Sequence, residues 1–166
     1  LSRIAHQILE RNPDLQKLGI VGVQTRGVYL ARRIVDIINK MESSSLVAGV
    51  LDITLYRDDY RRPFRQPQVQ VTNIPFNIDQ KNVVIVDDVL FTGRTVRAAL
   101  DALMDFGRPR IIQLAVLVDR GNRELPIRPD FIGKKITTTN NQEVALKVKE
   151  IDNEDSLWLV ERKENT

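Results

Sequence analysis

The chain contains no cysteine, so disulfides, thiolate metal sites and thiol catalysis are excluded, and a reducing compartment suits it. No apolar run is long enough to span a bilayer, and no segment reads as a secretory signal. A cytoplasmic protein without a membrane partner is expected. Neither sign of charge dominates: 25 Lys and Arg face 22 Asp and Glu, for a net charge of +3. That balance permits a polyanionic partner without demanding one. Two common phosphate signatures are also missing. No lysine completes a Gly-x-x-x-x-Gly-Lys-Ser/Thr loop, and Gly22–Gly27 lacks the Gly-x-Gly-x-x-Gly spacing of a dinucleotide fold. There is no internal repeat, low-complexity tract or linker, so residues 1–166 are expected to form one domain with a sizeable core. The chain opens at Leu1, without Met, directly in a helical pattern, so a first helix lacking its start is expected.

What is present alternates between two periods. Ile4–Arg11 fits a short amphipathic helix ended by Asn12-Pro13. Gly19–Val23 reads as a buried strand. Leu30, Ile34, Ile37 and Ile38 give Val28–Lys40 one apolar helical face, Ser43–Ser45 form a loop, and Val47–Tyr56 reads as a strand. Arg57–Pro67 is arginine-rich, holds two aspartates and two prolines, and shows no periodicity, as expected of a long functional excursion. Lys81–Asp87 returns to a strand. Val96, Ala99, Leu100 and Leu103 mark a helix that Gly107-Arg108-Pro109 ends. Ile111–Val118 is another strand, and Phe131–Glu161 suggests short edge strands. Strands alternating with helices predict an α/β fold: a mostly parallel sheet with helices on both faces.

The chemistry concentrates in Val83–Thr95 (VVIVDDVLFTGRT). A strand buried on both faces delivers Asp87 and Asp88 to its carboxyl end, where ligands bind in open α/β sheets. Adjacent carboxylates can accept hydrogen bonds from a diol and supply hard oxygens to Mg²⁺, directly or through water. The turn Phe91-Thr92-Gly93-Arg94-Thr95 then opens a helix. Its amides, the helix dipole and two threonine hydroxyls suit a phosphate monoester. A diol and metal site beside a phosphate site is what ribose 5-phosphate requires. The plainer reading is a strand followed by a helix with Thr92 or Thr95 as N-cap, which leaves the paired acids unexplained. A receiver-domain acidic pocket is the other alternative, but such domains place their acids after the first strand.

On these residues the chain resembles the type I phosphoribosyltransferases. It is similar in particular to the bacterial bifunctional family that combines pyrimidine operon attenuation with uracil phosphoribosyltransferase activity. The resemblance runs through Val23–Gly27, Asp52–Asp59 (DITLYRDD), Val83–Thr95, Gly107–Gln113 and Leu114–Arg128 (LAVLVDRGNRELPIR). It implies that fold with a small hood of edge strands. Asp87 and Asp88 would bind the ribose hydroxyls, and Val89, Leu90, Phe91, Thr92, Gly93, Arg94 and Thr95 the 5-phosphate of 5-phosphoribosyl-1-pyrophosphate (PRPP) or UMP. Thr25, Arg26 and Gly27 would form the pyrophosphate loop, with Mg²⁺ as cofactor. Arg57, with Asp58 and Asp59, would open a flexible loop over the substrate. The nucleobase would lie near Val118, Asp119, Arg120 and Val144, although Val144 has the spacing of a core residue.

The resemblance also implies binding to the leader mRNA of pyrimidine operons, promoted by UMP, through Ser2, Arg3, His6, Arg11, Arg123, Arg128 and Lys134. Arg3 and His6 share a helix face, and Arg120, Arg123, Arg128, Lys134 and Lys135 add a second basic cluster. Few aromatics accompany them, so phosphate and arginine contacts would dominate. Asn122 stands where the family usually has histidine, which removes a titratable ring. The family also implies a homodimer or higher homo-oligomer. Two further functions remain open: a UMP-sensing RNA-binding regulator without significant turnover, and a purine or orotate phosphoribosyltransferase.

Overall fold

The computed structural model describes residues 1–58, 71–139 and 141–161. Helix α1 (Ser2–Arg11) ends at Asn12, whose side chain donates to the Ile8 carbonyl at 2.9 Å, so the Asn-Pro stop acts where the sequence places it. Strand β1 (Leu18–Val23) leads into α2 (Arg26–Glu42), then β2 (Ala48–Leu51). After residues 59–70 come β3 (Asn82–Leu90), α3 (Arg94–Met104), β4 (Ile111–Asp119) and β5 (Phe131–Lys135). Strand β6 (Gln142–Lys147), the single-turn α4 (Lys149–Asp152) and β7 (Ser156–Glu161) close the described chain.

The main sheet has the order β2-β1-β3-β4-β5 with every pairing parallel. Alternation along the strands divides the core in two. Leu18, Ile20, Val84, Val86 and Ala115 meet α1 and α2, while Val21, Val23, Val83, Ile85, Leu114 and Val116 meet α3. Helices therefore cover both faces, and the strands read as nearly continuous apolar runs for that reason. The antiparallel β6–β7 ribbon stands apart from the sheet as a small hood.

The chain leaves β1 toward β2, then crosses back over β1 to reach β3. The carboxyl ends of β1 and β3 thus flank the switch point where such sheets bind ligands. Receiver domains share this strand order, so the order alone does not exclude them. The acids decide the matter, since β1 runs into Gln24 and Thr25 and the paired aspartates belong to β3.

Two strand boundaries differ from the sequence expectation. The strand expected over Val47–Tyr56 stops at Leu51. Asp52 turns the chain by accepting from the Thr54 amide at 3.0 Å and the Thr54 hydroxyl at 2.6 Å, and Thr54–Tyr56 forms a 3₁₀ turn. Such a local carboxylate-to-backbone bond competes with the sheet ladder. Conversely, β3 continues past Asp87 to Leu90 and stays paired with β4 as far as Asp119. The acids therefore sit within a hydrogen-bonded strand, a stiffer mount than a loop. Most of the expected excursion, including Asp59, lies outside the described residues.

Candidate active site

A cleft of about 270 Å³ opens at the end of β3, lined by Arg57, Asp87, Val89–Val96. Asp87 is 5% exposed. Burial pushes its carboxyl well above the usual carboxylate range, and the neighbouring Asp88 charge pushes it further. The Asp88 amide, donating at 2.9 Å, and the Arg57 guanidinium pull the other way. The Asp88 carboxylate accepts from the Val89 amide at 2.7 Å. Each acid is thus fixed by the next amide of its own strand and keeps lone pairs for a ligand.

The loop after β3 is an anion cradle held from behind. Gly93 takes φ +94° and stands at the N-cap of α3, a conformation glycine adopts without strain. No side chain caps the helix and no acid occupies its first turn. Thr92 and Thr95, the sequence candidates for N-cap, do not fill that role. Among the described residues, the Thr92 hydroxyl accepts only from the Arg94 amide, at 3.3 Å. The Thr95 and Val96 amides of the first turn therefore retain their capacity for an anion. The loop's carbonyls are drawn outward instead. The Thr92 carbonyl accepts from the amides of Glu124 and Leu125 at 2.9 and 3.0 Å. The Phe91 carbonyl accepts from the Arg123 guanidinium at 3.0 Å. Arg94 pairs with Glu124 at 2.6 Å and Asp58 at 2.8 Å, so two carboxylates hold its side chain beside the cleft.

This brace comes from the stretch Arg120–Ile127, and its role is not visible in the sequence. Arg123, expected on an RNA surface, spends its guanidinium internally on the carbonyls of Phe91, Gly121 and Ile127 and on Asp119 at 2.6 Å. Arg120 is buried, lies 3.8 Å from the centre of the Phe91 ring, and donates to the Thr138 hydroxyl and the Gln142 carbonyl. Asn122 adopts φ +53° and donates to the Thr138 carbonyl at 3.2 Å. Asparagine tolerates that left-handed conformation well.

The loop after β1 packs against the same strand. A Cβ on Gly27 would lie 2.5 Å from the Val86 carbonyl oxygen and 3.2 Å from the Asp87 Cα, so only glycine lets α2 start this close to the acids. The Gln24–Thr25 peptide is cis. Thr25 is the uncapped N-cap of α2 and lines a second cavity, of about 530 Å³, with Tyr29, Arg32 and Val50. Arg26 is paired with Asp152 of α4, its Nη2 at 2.9 Å and its Nε at 3.3 Å.

The residues expected around the base are less unified. Val118, Asp119, Arg120 and Val144 do not line the β3 cleft. Val118 faces a cavity of about 390 Å³ between α1, β5 and β7, and Val144 is buried opposite Leu159 in the hood. Of the expected RNA surface, Arg3 donates to the carbonyls of Ile132 and Gly133 on β5. His6 Nδ1 donates to the Ser2 carbonyl at 2.7 Å, and Arg11 pairs with Asp130 at 3.1 Å. Ser2, Arg128, Lys134 and Lys135 are exposed. Arg3 and Arg11 thus tie α1 to β5 and the turn before it, bringing most of these residues to one side of the sheet.

Among the described residues no group of three or more acids, histidines or cysteines could hold a metal alone. Asp87 and Asp88 nevertheless fit Mg²⁺, which is usually held by one or two carboxylates with substrate phosphates and water completing the set.

The phosphoribosyl transferase domain model matches residues 1–151. The chain is 52% identical over 164 residues to the bifunctional protein PyrR of Pelotomaculum thermopropionicum, covering 99% of this chain and 91% of that one. It is 56% identical over 162 residues to that of Thermus thermophilus, covering 98% and 90%. Among solved structures, a hypoxanthine phosphoribosyltransferase from Trypanosoma cruzi superimposes with TM-score 0.70 at 15% identity, covering 98% of this chain and 88% of that one. A hypoxanthine-guanine phosphoribosyltransferase from Bacillus anthracis gives 0.56 at 17%, over 81% and 74%. These structural likenesses speak for the fold and carry nothing about the base. With the paired acids, the uncapped helix start and sequence matches over nearly the whole chain in agreement, the chain belongs to the phosphoribosyl transferase family, among the bifunctional PyrR proteins.

Proposed function

We propose that this chain transfers the phosphoribosyl group of PRPP to uracil, giving UMP and pyrophosphate, and that with UMP bound it binds the leader mRNA of pyrimidine operons. The observation that carries the catalytic half is the braced, uncapped loop Phe91–Thr95 beside Asp87 and Asp88. The bifunctional name of the relatives at 52% and 56% identity supports the pairing of the two roles.

In this reading the Thr92–Thr95 backbone holds the 5-phosphate, and Asp87 with Asp88 accept hydrogen bonds from the ribose hydroxyls. The Thr25–Gly27 loop takes the pyrophosphate. Uracil N1 forms a bond to ribose C1 as the bond from C1 to the pyrophosphate oxygen breaks, with inversion, and the N1 proton is lost. The protein's contribution is positioning and charge stabilisation, with no covalent nucleophile. Asp87 and Asp88 would hold Mg²⁺, which when bound screens the pyrophosphate and orients it. Arg57, at the cleft and close enough to act on Asp87, begins the segment that would exclude water.

The RNA surface in this reading combines Ser2, Arg3, His6 and Arg11 of α1 with Arg128 and Lys134. A cytoplasmic location follows from access to nascent mRNA. A homodimer or higher homo-oligomer is supported by β7, whose Trp158, Leu159 and Val160 are 56%, 50% and 46% exposed, a patch of the kind that marks interaction surfaces.

One experiment tests the catalytic half and its rivals together: turnover of PRPP and Mg²⁺ with uracil, guanine, hypoxanthine or orotate. Uracil alone should be consumed. Consumption of a purine or orotate would transfer the assignment to another acceptor. Complete inactivity alongside tight UMP binding would favour a pure UMP sensor.

A further inference from the structure

The hood is fastened to α2 by two arginines. Arg33 grips Glu150 at 2.9 and 2.6 Å and Asp155 at 3.1 and 2.8 Å. Two turns earlier, Arg26 grips Asp152 through two nitrogens. Asp152 also accepts from the Val148 amide at 2.8 Å, so the hood backbone fixes where its carboxylate sits. The bond from Arg26, followed by that from the Val148 amide, holds the Asp152 carboxyl below its ordinary value, and it is ionised at neutral pH.

Arg33 lies within the body of α2, whereas Arg26 lies in the first turn, in the loop read above as the pyrophosphate site. There the Asp152 carboxylate cancels its charge and occupies two of its five N–H donors. An incoming anion must therefore out-compete a carboxylate bound in fork-to-fork geometry. A single phosphate offers little more charge than that carboxylate. Pyrophosphate offers considerably more. The pair is partly exposed, with side-chain accessibilities of 33% and 18%, so solvent screens it and it can be opened.

We infer that Asp152 is a resident counter-anion that competes for Arg26 and so holds down the affinity of this loop for a pyrophosphate-bearing ligand. This rests on the assignment of Thr25–Gly27 to pyrophosphate. Asp152→Asn keeps the shape and one acceptor while removing the charge, and Asp152→Ser serves the same test should the amide disturb the fold. Both proteins are titrated calorimetrically with pyrophosphate and, separately, UMP, at saturating Mg²⁺. Pyrophosphate should bind the variant roughly three- to fivefold more tightly, while UMP, which does not reach Arg26, binds as before. The gain should vanish in the Arg26→Gln background, since a coupling between neighbours disappears when one is removed. Damage to the hood alone would weaken binding and lower the melting temperature, and it would not produce a gain. Unchanged or weaker pyrophosphate binding, or an equal gain for UMP, overturns the inference. A wild-type protein that binds UMP but no pyrophosphate would overturn the loop's assignment and the inference together. One that binds both, with no gain in the variant, overturns the inference only.

Discussion

Two loops face each other across the switch point, and they are built alike up to a point. Each follows a parallel strand, opens a helix without a side-chain cap and has no acid in its first turn. They differ in what holds them. The Phe91–Thr95 loop is gripped by its carbonyls from the Arg120–Ile127 stretch, which leaves its amides turned to the cleft. The Thr25–Gly27 loop is gripped by its cation, through Asp152 of the hood. In the proposed function, the first arrangement would be pre-organised for one phosphate, and the second would keep its charge neutralised until a stronger anion arrives. A mount made of backbone bonds gives fixed recognition, whereas one made of an ion pair can be exchanged.

The largest expected effect lies where the two loops meet, at the paired acids. Asp87→Asn together with Asp88→Asn should lower uracil turnover by ~1,000-fold or more while thermal melting stays cooperative. Both loops would remain intact, so PRPP should still bind, more weakly. Full activity in the double variant would remove the chemical reason for placing both loops at this strand.

Gly27→Ala comes next. Its Cβ would stand 2.5 Å from a backbone oxygen of β3, which cannot move as a side chain could, so about 1–3 kcal/mol of stability should be lost. Displacing the Thr25–Gly27 loop by even ~1 Å should reduce kcat/KM by ~100-fold. UMP affinity, which in the proposed function rests on the Phe91–Thr95 loop, should fall much less. Equal losses for UMP and PRPP would mean that the two loops act as one unit. Gly93→Ala is the reciprocal change. Its positive φ costs a non-glycine residue about 1–3 kcal/mol, so UMP and PRPP should both weaken by about tenfold, measured by calorimetry.

These contrasts also mark how far the residues could be read without the fold. The strand-acid-acid-turn-helix order of Val83–Thr95 was legible because buried strands, glycine turns and helix starts each leave a local pattern. The stop at Leu51 was not, because Thr54 and Asp52 form a turn that β propensity over Val47–Tyr56 does not reveal. Arg123 was misleading for a physical reason: an arginine in a polar stretch reads as surface charge, and only the fold brings the carbonyls of Phe91 and Ile127 within its reach. The Arg26–Asp152 pair joins residues 126 positions apart, and the sequence offers no signal for it. Val144 has core spacing and is buried in the hood, as spacing alone suggested.

The smallest expected effect concerns pH. Burial, and then the Asp88 charge, raise the Asp87 carboxyl well above its ordinary value of 3.8. In the window from that value upward the folded chain holds a proton the unfolded chain has released, so this group's contribution to stability falls as pH rises through the window. Ligand binding has the opposite slope. In the proposed function Mg²⁺ and the ribose hydroxyls need Asp87 ionised, so affinity for PRPP with Mg²⁺ should rise with pH across the same window and then level off. Asp88→Asn removes the like charge and should move that rise to lower pH, whereas Asp152→Asn, at the other loop, should leave its midpoint in place. Calorimetric titrations of the three proteins across the acid range would check this. A midpoint that moves with Asp152 would mean that the ion pair at the Thr25–Gly27 loop and the buried acid share one electrostatic field, and the two mounts could no longer be treated as independent.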